Sequence, residues 1–93
     1  MTSAHNIIPS ILIQIIRPAP MCAEKVEFAW RTSVGPGLGR VTSARIDDQR
    51  TLIITAQDQQ WQREVERSFA LIRSRLDALL GPDAFIKVEI THG

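Results

Sequence analysis

A chain of 93 residues with 44% hydrophobic content and a net charge of +1 is sized for one domain, near the lower limit at which a core sustains itself. That balance argues against disorder and excludes a bulk electrostatic field as the means of attracting nucleic acid or a membrane. The single cysteine, Cys22, excludes an internal disulfide and fits a reducing cytoplasm, where it reads as a small apolar core thiol or a partly exposed bystander.

Residues 1–5 carry no pattern and read as a loose tail. Ile7, Ile8, Ile11, Leu12, Ile15 and Ile16 then recur at helical spacing, and Pro9 suits a first helical turn. The isoleucine richness would also suit a strand. No basic region precedes this run, and it is far shorter than the about 20 residues a bilayer span needs, so neither export nor membrane insertion is expected. Arg17-Pro18-Ala19-Pro20 must break whatever precedes it. A second helix is expected over Ala23 to Val34, burying Val26, Ala29, Trp30 and either Ser33 or Val34. Gly35-Pro36 stops it, and the stretch Gly35 to Gly39 reads as a tight connector that uses glycine for positive φ.

Thr42, Ala44 and Ile46 alternate with Val41, Ser43 and Arg45, the mark of a half-buried strand. Asp47-Asp48-Gln49-Arg50 is a polar turn, and Leu52 to Gln57 returns as the partner strand of a hairpin. Asp58 is a competent N-cap for a third helix from Gln59 to Leu80, about 33 Å long. Trp61, Val65, Phe69, Ile72, Leu76 and Leu79 or Leu80 share one face of it, and Gly81-Pro82 ends it. Ile86, Val88 and Ile90 then alternate with Phe85, Lys87 and Glu89 in a last strand.

The order α-α-β-β-α-β predicts an α+β two-layer domain with a three-stranded sheet and the helices packed on one face. Leu52, Ile54, Ala56, Ile86, Val88 and Ile90 are expected toward the helices. Ser43, Arg45, Ile53, Thr55, Phe85 and Lys87 are expected on the open face.

The residues that could carry function are few. Trp30 and Trp61 could stack on bases, yet both lie in phase with apolar stripes and read as core. Phe85, out of phase and beside Lys87, is with Ile53 the candidate contact surface, unless the first helix or the N-terminal tail covers it. Arg31, Arg40 and Arg45 fall in a segment with no acidic residue, and with Lys87 they form the candidate phosphate-facing set. No nucleophile stands near a base, and there is no zinc-ligand cluster or carboxylate pair. The expectation is a non-enzymatic protein without metal or cofactor.

Trp30-x-x-x-Val34-Gly35, Thr42, Leu52-x-Ile54-x-Ala56 and Trp61-x-x-Glu64-Val65 together resemble the bacterial DciA-like domain, over roughly residues 8–91. The resemblance implies a KH-like fold and a helix over Ile11 to Ile16. It also implies a role in DNA replication, through contact with a DnaB-type replicative helicase and affinity for single-stranded or branched DNA. KH domains clamp nucleic acid with a Gly-x-x-Gly loop, whereas the glycines here stand at 35, 37 and 39. The alternative is an adaptor without nucleic-acid binding, docking a partner through the Ile53/Phe85 face or the first helix. Self-association through the isoleucine-rich N-terminus is a third expectation.

Overall fold

Leu52, Ile54 and Ala56 alternate with Ile53 and Thr55, and the alternation becomes a buried and an open side of one sheet. These residues form β2 (Thr51–Ala56), the middle strand. On one side β1 (Thr42–Ile46) pairs with it antiparallel, and on the other β3 (Lys87–His92) pairs with it parallel. The computed structural model describes residues 8–93, in which three helices complete the chain: α1 (Ser10–Ile16), α2 (Ala23–Gly39) and α3 (Gln59–Leu80). The order α-α-β-β-α-β and the α+β two-layer class are therefore those the sequence predicts. The expected tail over residues 1–5, and Ile7 of the first stripe, lie outside the described residues.

Local chemistry explains the joints. In the hairpin turn Asp47 Oδ1 accepts from the amides of Gln49 and Thr51, both at 2.9 Å, and Arg50 takes a left-handed φ of 63°. Asp58 Oδ1 accepts from Trp61 N at 3.0 Å to start α3, and Gly81, at φ 97°, ends it. The crossover β2–α3–β3 lays α3 across the sheet. Val65, Ile72, Leu76 and Leu79 of α3 meet Ala29 and Trp30 of α2 and Leu52 and Ile54 of β2 in one core. Each of the valine, leucine and isoleucine side chains among them contributes about 1.5–3 kcal/mol by leaving water. Arg75 Nη1 donates to Ser33 O at 2.8 Å, tying α3 to α2.

Between α1 and α2 the Lys25 ammonium, only 8% exposed, donates to Arg17 O at 2.9 Å and Ala19 O at 2.7 Å. It collects the carbonyls that the proline-rich connector leaves without amide partners. α1 itself has no buried residue: Ile13 and Ile16 lean on the core, while Ile11 and Ile15 are more than half exposed.

Four expectations are corrected. Gly35 does interrupt α2, with φ 86° and ψ 170°, but the stretch from Pro36 to Gly39 is a further helical turn rather than a loop. Proline is favourable at a first helical position, so Gly35-Pro36 breaks one helix and starts another. Phe85 is not on the open face: it is 2% exposed and belongs to the core. Ile86, expected inside, is 64% exposed. Ile86 lines an open groove with Phe69, Val88 and Ile90, and the amides of Ile86 (2.8 Å) and Lys87 (3.4 Å) both reach Arg50 O. That double contact breaks the two-residue alternation at the start of β3, so Phe85 turns inward before the strand begins. Trp61, placed in the core by its spacing, is half-buried and stands outside the core cluster. Trp61 lies in the first turn of α3, ahead of Val65, the first α3 residue of the core cluster.

The other core assignments hold. Trp30, Leu52, Ile54, Val65, Ile72 and Leu76 are buried, and Val34, Phe69, Val88 and Ile90 pack against them half-buried. Of the pair left open on α2, Ser33 is the one fully enclosed.

Candidate nucleic-acid interface

The kink at Gly35 folds the last turn of α2 back on its own shaft. Gly39 comes to lie against Arg31, whose Cγ would be 3.7 Å from a Cβ at that glycine. The result is a cleft lined by Arg31, Gly35, Pro36, Gly39 and Arg40. Arg31 is not without acidic company, as its sequence segment suggested: its Nη2 lies 2.9 Å from Glu27 Oε2, one turn earlier. Both side chains are at least half exposed, so the pair contributes at most about 1 kcal/mol and can be exchanged for another anion. Arg40 is exposed and makes no ion pair among the described residues. It also lines a second concavity with Ser43, Thr55, Gln57 and Gly93, which opens toward the bare side of the sheet.

That bare side follows from the register. Arg45 lies opposite Ile53, which lies opposite Glu89; Ser43, Thr55 and Thr91 form the next row; and Thr51 lies opposite Lys87. Arg45 and Lys87 thus stand on the two outer strands one row apart, with Glu89 across Ile53 from Arg45, and their backbones are roughly 10–12 Å apart at normal strand spacing. Arg45 also borders a hollow with Cys22, Asp47 and Arg50 near the start of α2. The four basic residues therefore fall into two groups, Arg31 with Arg40 at the kink and Arg45 with Lys87 on the sheet. Arg40 is the side chain nearest to joining them.

With Phe85 buried, the open sheet face carries no aromatic ring. Base stacking there is unavailable. The aromatic that the sequence reading passed over is Phe28, 42% exposed on α2 and one turn before Arg31. Residues three apart on a helix are neighbours, so Phe28 lies one turn before Arg31 on the surface of α2. Its signal was present: Phe28 is out of phase with the stripe Val26, Ala29, Trp30 and Ser33.

Among the described residues there is no group of three His, Cys, Asp or Glu side chains placed to hold a metal ion, and no helix is long and apolar enough to cross a membrane. No family model matches this chain, and neither a curated protein nor a solved structure matches it significantly.

Proposed function

We propose that the chain is a non-catalytic module that binds single-stranded nucleic acid by its phosphates, in keeping with the replication role its resemblance to the DciA-like domain implies. The observation that carries this reading is the position of Arg40. It is exposed, has no ion-pair partner among the described residues, and borders both the Arg31 cleft and the groove over Ser43 and Thr55. A strand entering by Phe28 and Arg31 would pass Arg40 and continue to Arg45, with Lys87 on the far strand of the sheet. Phosphate contacts of this kind release counterions and carry no base sequence, so the affinity is salt-dependent and sequence-tolerant. Phe28 supplies one stacking surface. The test is fluorescence anisotropy with labelled single-stranded DNA across a salt series, comparing the wild type with an Arg40→Glu/Arg45→Glu variant. Weaker binding with a flatter salt slope supports the assignment, and an unchanged affinity and slope removes it.

A second reading is favoured by the exposure of Ile11 (62%) and Ile15 (60%), one turn apart on α1. On that reading α1 docks a protein partner, and a DnaB-type replicative helicase is the one the resemblance implies. No DNA binding at low salt, together with helicase capture lost on Ile11→Asp/Ile15→Asp, favours the adaptor over the nucleic-acid module.

A further inference from the structure

We infer that β3 is a self-complementary edge through which two copies of this chain pair antiparallel, about a two-fold axis at Val88. β3 closes the sheet on one side, and no strand covers its outer edge among the described residues. An uncovered edge is a template for pairing unless its side chains forbid it. Here they select one partner and one register.

The backbone sets which groups are offered. Lys87 N bonds Arg50 O and Gly93 N bonds Ala56 O, so the odd-numbered amides of β3 point at β2. The amide of Val88 and the amide of Ile90 therefore point outward, as does the Ile86 carbonyl, which shares its peptide with the Lys87 amide. An axis at Val88 lets the two Val88 residues exchange both hydrogen bonds, and sets each Ile90 amide against the Ile86 carbonyl of the second copy. The complementary bond, from the Ile86 amide to the Ile90 carbonyl, would be the missing one. Both of those groups are already satisfied within the chain: Ile86 N donates to Arg50 O, and Ile90 O accepts from Gln62 Nε2 at 2.9 Å. What the fold leaves over is what the ladder uses.

The side chains agree. In this register Lys87 faces Glu89 of the second copy in a pair without backbone bonds, where side chains approach most closely, and symmetry makes the contact twice. An axis at residue 87 or 89 would set like charges against each other, and an axis at residue 90 would leave both without a charged partner. The exposed Ile86 gains Ile90 of the second copy as its neighbour, over the groove that Phe69, Val88 and Ile90 line beside the edge.

Sedimentation equilibrium or light scattering into the sub-millimolar range tests this on the full chain. The wild type should give a dimer, twice the 10.4 kDa chain mass. Lys87→Glu alone and Glu89→Lys alone each set two like-charge pairs and should weaken dimerisation by about tenfold. The two single variants mixed in equal amounts, and the Lys87→Glu/Glu89→Lys double variant, should both recover it. A wild type that stays monomeric, a dimer indifferent to single reversals, or a mixture that does not recover would each overturn the inference.

Discussion

Trp30 donates its indole Nε1–H to Thr42 Oγ1 at 2.8 Å, and the same hydroxyl donates onward to Leu38 O at 2.7 Å. One threonine thus pins the buried indole of α2 to the first residue of β1 and also holds the last turn of α2 beyond the kink. Trp30 is wholly inaccessible, so its N–H has no water to fall back on. Thr42→Val keeps the shape and the strand preference but leaves that donor unsatisfied. It should cost about 1–3 kcal/mol, while Thr42→Ser, which keeps the oxygen, should cost less. Urea midpoints at constant m-value check the pair.

Gly35 and Gly37 should respond in opposite ways to the same change. Gly35 has φ 86° and ψ 170°, a region essentially closed to other residues, although a Cβ there would meet nothing within 4 Å. Gly35→Ala should therefore destabilise by about 1–3 kcal/mol through backbone strain alone. Gly37, in a helical turn with open space around it, should accept alanine with no loss or a gain of up to about 1 kcal/mol. Thermal unfolding of the two variants side by side tests the kink as a conformational requirement.

Phe85 is the second ring whose removal should threaten the fold. It is 2% exposed, and the Arg73 guanidinium carbon lies 5.0 Å from its ring centroid. Phe85→Ala should cost about 3–5 kcal/mol, as for other large core truncations. Its neighbour Ile86 is 64% exposed, and Ile86→Ser should shift monomer stability by no more than about 0.5 kcal/mol. Equal effects at the two positions would return Phe85 to the surface.

These contrasts show where the sequence was legible. α3 could be read because each of its signals agreed: the Asp58 cap, one apolar stripe and Gly81-Pro82 at the end. Its span is observed as expected, Gln59–Leu80. The hairpin was equally plain. Ile86 keeps the side of Val88 and Ile90 but lines an open groove there. Phe85 was misread because period-two alternation holds only inside a strand, and the two amides converging on Arg50 O shift its phase at the start. That contact is long-range and leaves no local pattern. Lys25 was passed over for the same reason, since its partners are carbonyls of a connector whose path sequence does not give. At the candidate site, the basic residues were visible but their grouping was not. Arg31 joins Arg40 only because the chain turns at Gly35 and resumes as helix, where the sequence suggested a loop.

Phe28 separates binding from stability. It is exposed on α2 and outside the core, so Phe28→Ala should leave the unfolding midpoint nearly unchanged. If its ring stacks on a base beside Arg31, the same variant should lose about 1–3 kcal/mol of affinity for single-stranded DNA. Anisotropy and thermal unfolding on one preparation distinguish the two effects.

The central claim is that Arg40 neutralises a phosphate at the junction between the kinked end of α2 and the sheet. Its most direct measurement is the slope of log affinity against log salt for single-stranded DNA, in the wild type and in Arg40→Ala. Arg31, Arg40 and Arg45 acting together give an expected wild-type slope of about −2, and loss of Arg40 should reduce its magnitude by about 0.7. A wild type that does not bind at low salt, or a slope unmoved by Arg40→Ala, would contradict the account.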